Sequence, residues 1–87
     1  MVSTTQIQAL ILAALPGAEV QVYDPNQDGQ HFSAVVIAPQ FSGIAMVQQH
    51  RLVNEALKTP LASGEIHALQ LKTYSPEQWQ QSNVQFG

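Results

Sequence analysis

His31-Phe32-Ser33-Ala34-Val35-Val36-Ile37-Ala38 is β-rich and almost continuously apolar, and it reads as the central strand of the fold. Pro39 ends it, since proline has no N–H to give to a ladder. Just before it, Asp24-Pro25-Asn26-Gln27-Asp28-Gly29-Gln30 is a dense turn cluster that suits a hairpin with a flexible tip. The other arm of that hairpin is Ala18-Glu19-Val20-Gln21-Val22-Tyr23, whose alternation marks a half-buried strand. Further out, Ile7, Leu10, Ile11, Ala14 and Leu15 fall at i, i+3, i+4, i+7 and i+8, one stripe of a helix. Ser3, Thr4 or Thr5 can cap that helix, and Pro16-Gly17 stop it.

Downstream of the central strand, Phe41-Ser42-Gly43 is a short connection. From Ile44 to Lys58, Met46, Val47, Val53, Ala56 and Leu57 recur at helical spacing, and Met46, Val53 and Leu57 are expected in the core. Gln48, Gln49, Arg51 and Glu55 are left for the wet side, and Pro60 and Gly64 close the region. Ile66 to Tyr74 is the third strand. Ser75-Pro76-Glu77-Gln78 then offers serine at the N-cap, proline at N1 and glutamine at N3, the pattern of a capping box. Trp79 is expected to anchor that short last helix, and Gln80 to Gly87 to fray.

The order is thus α-β-β-α-β-α. Residues 39–65 contain a helix, which suits a parallel, right-handed crossover between the second and third strands. The expected fold is α+β: a three-stranded mixed sheet in one layer and helices on one face in the other. Residues 1–87 form a single domain, and no internal repeat or linker divides them.

Hydrophobic residues make up 45% of the 87, and charged residues only 10%, too apolar for a disordered tail. Polarity comes instead from thirteen glutamines. A net charge of −3 is the wrong sign for a chain that grips phosphates through its own field. The absence of cysteine excludes disulfides, thiolate metal sites and a cysteine nucleophile. No segment has the ~20 apolar residues of a membrane span, so a soluble, cytoplasmic protein is expected.

Reactive groups are few. No phosphate-binding glycine loop, nucleophile elbow or zinc-protease motif is present, and an enzyme is not expected. His31 opens the second strand and His67 lies near the opening of the third. Parallel neighbouring strands would put both imidazoles at one end of the sheet, about 4.8 Å apart in strand spacing, where they can approach one iron, zinc or copper ion. Two ligands leave such a site half-built, and a partner must complete it. The alternative is that each is an ordinary strand-edge histidine with one satisfied hydrogen bond. Parity complicates the metal reading: Phe32, Ala34 and Val36 share one face, whereas His67 shares the parity of Leu69 and Leu71. If both apolar sets face the helices, the histidines converge only if His31 belongs to a mobile loop and not to the ladder. His50-Arg51, inside the middle helix, is either a basic docking spot for a nucleic-acid phosphate or acidic partner, or a packed histidine beside a solvated arginine.

The motifs Gly29-x-His31-Phe32, Phe41-x-Gly43, His50-Arg51-Leu52-Val53, Ile66-His67-Ala68-Leu69 and Thr73-x-Ser75-Pro76-x-x-Trp79 resemble the BolA family of small proteins across nearly the whole chain. The compact hairpin and short tail are closest to its bacterial acid-stress branch. The resemblance implies a fold similar to a class II KH domain. It also implies a non-catalytic partner of a monothiol, CGFS-type glutaredoxin, sharing a 2Fe-2S cluster for iron-sulfur assembly, trafficking or iron sensing. The glutaredoxin cysteine and a glutathione thiolate would ligate one side, and none of the cluster is held by the chain alone. His67, in the Ile-His-Ala motif, would be the firmer ligand on the other side, with His31 the adaptable second one. His50 and Arg51 are assigned to the docking helix, and the chain alone is a monomer or transient dimer. The alternative implied by the family is a KH-like DNA-binding regulator of stress response and cell morphology. A KH module grips nucleic acid with a GxxG loop, whereas Gly43-Ile44-Ala45-Met46 has no second glycine.

Overall fold

The computed structural model describes residues 2–84. Its elements run α1 (Thr4–Ala14), β1 (Glu19–Tyr23), β2 (His31–Ile37), a 3-10 turn (Pro39–Phe41), α2 (Met46–Ala56), α3 (Lys58–Ser63), β3 (Ala68–Tyr74) and α4 (Pro76–Val84). The strands form one mixed sheet in the order β1-β2-β3. β1 and β2 are antiparallel from Glu19↔Ile37 to Tyr23↔Ser33. β2 and β3 are parallel from His31↔Ala68 to Ile37↔Tyr74. His31–Ile37 is therefore central, as its apolar run requires. None of the described helices is long and apolar enough to cross a membrane.

Alternation along β2 sends Phe32, Ala34 and Val36 into the core and leaves His31, Ser33, Val35 and Ile37 half-buried on the other face. Against the inner face pack Ile7, Ile11 and Leu15 of α1 and its C-cap, and Val53 and Leu57 of α2 and its C-cap. The stripe on α1 is narrower than its spacing suggests, since Leu10 is exposed. The capping box that starts α1 is made by Ser3: its hydroxyl accepts the Gln6 N–H at 3.1 Å, and the Gln6 side chain accepts the Ser3 N–H at 2.8 Å.

Four expectations need correction. Met46 is 66% exposed and not a core residue: it is the first residue of α2 and only borders β3. Gln49, expected on the wet side, is buried at 1% exposure. Pro60 does not close a helix but lies in the first turn of α3, where its missing N–H would have had no intrahelical acceptor. Gly64, at φ +84°, does end that helix, in the left-handed conformation that favours glycine. Finally, α4 continues past Gln80, where the tail is expected to begin, and closes at Val84. Residues 85–87 lie outside the described residues.

Ser75 and Gln78 form the expected capping box, with bonds of 2.9 and 3.1 Å. Trp79 sets its ring edge-on to Tyr74, with centroids 5.3 Å apart. Glu77 ties α4 to the segment after the 3-10 turn, accepting the Ser42 hydroxyl at 3.0 and 3.2 Å. Its own backbone N–H, then the hydroxyls of Ser42 and Ser75, lower its pKa. A carboxyl whose folded pKa is depressed stabilises the fold above its unfolded value, about 4.3, and loses that contribution as pH falls through the folded value. Emission from Trp79, the single tryptophan, is expected to change as pH drops below about 4. Glu77→Gln should flatten that titration, and an identical acid profile in the variant would count against the tether.

Candidate metal centre at a two-histidine rim

Parallel pairing brings the N-terminal ends of β2 and β3 to one rim of the sheet. His31 is the first residue of β2, and His67 immediately precedes β3. The Gln30 carbonyl accepts both the His67 N–H at 2.9 Å and the Ala68 N–H at 3.2 Å, which fixes the second entry beside the first. The two imidazole rings meet edge to face, with centroids 5.2 Å apart and planes at 75°.

The parity difficulty is resolved on the opposite side from the one expected. His31 stays in the ladder, paired with Ala68. It is His67 that lies outside, because β3 starts at Ala68 and not at Ile66. Ile66 is buried and Leu69 half-buried against the core, so two inward residues are separated by two exposed ones, His67 and Ala68. A bend over residues 65–67 breaks the two-residue period and turns the His67 ring outward toward His31.

The loop before β2 is tied down, not free. The Asp24 carboxylate accepts the N–H groups of Asp28 at 3.3 Å and Gly29 at 3.0 Å. Asp28 Oδ1 accepts the N–H groups of Gln30 at 2.9 Å and His31 at 3.1 Å. Asp28 Oδ2 lies 2.7 Å from His31 Nδ1. The Gln30 amide, then the His31 amide and ring, hold the Asp28 carboxyl at about 2. From sequence, Asp28 reads only as a turn former. Its spacing three residues before a histidine was the available signal.

Two imidazoles on one tetrahedral ion, with metal–nitrogen bonds of ~2.0–2.1 Å and a ring radius of roughly 1.2 Å, have centroids roughly 5 Å apart. The observed 5.2 Å matches that separation, as it also matches an ordinary edge-to-face ring contact. Among the described residues, no three of His, Cys, Asp and Glu gather into a metal-holding group. The rim thus brings two imidazoles together.

His50 and Arg51 are not brought to this rim. His50 is half-buried on α2 and, with Met46, lines a cavity of about 220 Å³ against Leu71, Lys72, Thr73 and Tyr74, near the other end of β3. Arg51 is exposed. The packed histidine beside a solvated arginine describes this pair in part, although the Met46 beside it is not core.

The family described as BolA-like protein matches residues 6–78. The chain is 42% identical over 59 residues to the DNA-binding transcriptional regulator BolA of Vibrio cholerae, an alignment covering 68% of this chain and 55% of that protein. It is 32% identical over 74 residues to the acid stress protein IbaG of Escherichia coli K12, covering 85% of this chain and 84% of that one. The chain spans about half the length of the first curated relatives it matches. Among solved structures, a bolA protein homologue from Coxiella burnetii superimposes with a TM-score of 0.77 at 41% identity, covering 92% of this chain and 99% of that one.

Proposed function

The chain belongs to the BolA-like family, and from that premise we propose that it is a non-catalytic partner of a monothiol glutaredoxin with which it shares a 2Fe-2S cluster. The observation that carries this reading is the pair of imidazoles 5.2 Å apart at one rim of the sheet. His31 and His67 supply two neutral nitrogen donors, and the glutaredoxin cysteine and glutathione supply the thiolates that this cysteine-free chain lacks. Ligation by imidazole in place of thiolate leaves a cluster less negative and raises its potential, as in Rieske-type centres. His31 stands in the β2 ladder, and the His67 amide is bonded to the Gln30 carbonyl beside it, which limits the rearrangement the half-site needs to receive the cluster. Such a protein serves cluster assembly, trafficking or iron sensing in the cytoplasm.

Adding the purified protein to a cluster-loaded monothiol glutaredoxin with glutathione is expected to change the visible absorption and circular dichroism of the cluster. An unchanged spectrum at excess protein overturns the reading.

A second reading, DNA binding, is favoured by the name of the Vibrio cholerae relative and by the exposure of Arg51 on α2. It predicts salt-dependent retention on duplex DNA that weakens in Arg51→Ala. The net charge of −3 argues against it, and the absence of any shift at low salt would remove it.

A further inference from the structure

Asp28 is bound at both of its carboxylate oxygens, and the two do different things. Oδ1 is anchored by two backbone amides, those of Gln30 and His31. With Oδ1 pinned, the direction of Oδ2 is set, and Oδ2 meets His31 Nδ1 at 2.7 Å. The Asp24 carboxylate clamps the amides of Asp28 and Gly29 in turn. Gln27 (φ 53°) and Gly29 (φ 68°) adopt the left-handed conformation within that loop. A carboxylate has no hydrogen to give, so the proton in the Asp28–His31 contact resides on Nδ1. In a neutral imidazole that leaves Nε2 bare, with its lone pair available. The His67 side chain has no comparable hydrogen-bond partner among the described residues; its ring makes the edge-to-face contact with His31.

We propose that Asp28 is a positioning residue that holds His31 as the Nδ1–H tautomer and presents Nε2 as the donor atom of the rim. The proposal rests on the two-histidine reading above and deepens it. It also exchanges the roles expected of the two rings: His31 is the pre-set donor, and His67 the one that adjusts. Carboxylates that accept from a ligating histidine are a recurrent device for fixing ring orientation and raising donor basicity.

Asp28→Asn separates this role from a structural one. The carboxamide oxygen still accepts the Gln30 and His31 amides, but the other arm now presents an NH₂ group to Nδ1. Nδ1 must then accept, and the proton moves to Nε2. Long-range proton–nitrogen correlation spectra of histidine-labelled apo protein, recorded above the imidazole titration, read this directly. The expected result is a bare Nε2 at His31 in the wild type and a protonated Nε2 in Asp28→Asn. Zinc alone, titrated calorimetrically, should bind roughly 10–100-fold more weakly to the variant. A wild-type His31 protonated at Nε2, or an Asp28→Asn protein with unchanged tautomer and zinc affinity, overturns the proposal. Asp28→Ser, which reaches the amides but not the ring, should give a mixture of tautomers, and a pure Nδ1–H form there also overturns it. Because these measurements use the apo protein and zinc, they can succeed while the glutaredoxin spectrum stays unchanged, or fail while it responds.

Discussion

Gln49→Ala is expected to cost about 2–4 kcal/mol of stability, far more than a helical glutamine normally carries. Gln49 is 1% exposed and joins four parts of the fold. Its Oε1 accepts the Thr73 hydroxyl of β3 at 2.8 Å. Its Nε2 donates to the carbonyls of Phe41 at 3.2 Å and Ile44 at 3.1 Å, with a longer contact of 3.4 Å to Gln78 of α4. Truncation to alanine opens a void between α2 and β3 and removes the acceptor of the buried Thr73 hydroxyl. An unsatisfied buried group costs about 1–3 kcal/mol, and the void adds to that. Urea unfolding followed by far-ultraviolet circular dichroism measures the loss, and a shift worth less than about 0.5 kcal/mol would show that the network is incidental. Gln49→Leu refills the volume but still strands Thr73, so it should be destabilising alone. Combined with Thr73→Val it should recover much of the loss, because both partners are then apolar.

That glutamine marks where sequence reading reaches its limit. Elements governed by local chemistry are legible: Ser75-Pro76-Glu77-Gln78 starts a helix because its own side chains satisfy its first amides. The central strand is legible because both of its edges must pair, and the parallel pairing follows from a connection long enough to hold a helix. Gln49 is not legible, because hydropathy assigns polar residues to water, and only the tertiary arrangement shows a core position with four polar partners around it. Met46 fails for the complementary reason: periodicity gives a face but not how far each residue on it is covered. The candidate site was half legible. His31 and His67 could be placed at strand entries, but their convergence depends on one bend, at residues 65–67, that shifts the period by a residue. Asp28 escaped notice because aspartate in a turn cluster already has a sufficient local reason to be there.

His67→Ala and His31→Ala are each expected to abolish the glutaredoxin-dependent change in visible absorption and circular dichroism. The physical reason is the smallness of the half-site. The chain brings two nitrogen donors to the rim, and among the described residues no third His, Cys, Asp or Glu joins them. Removing either donor therefore removes half of what this chain contributes, a larger loss than the roughly 10–100-fold that follows from disturbing a residue behind a ligand. Neither ring is part of the core: His67 is exposed, and His31 is half-buried on the outer face of β2. The His31 backbone N–H keeps its bond to Asp28 whichever side chain is present. The urea midpoint of both variants should accordingly stay near that of the wild type, so that a lost spectrum reports lost ligation and not lost folding. A full spectral change in either variant, at wild-type protein concentration, would show that its imidazole is not a ligand. A full change in both would leave the 5.2 Å contact between the rings as packing alone.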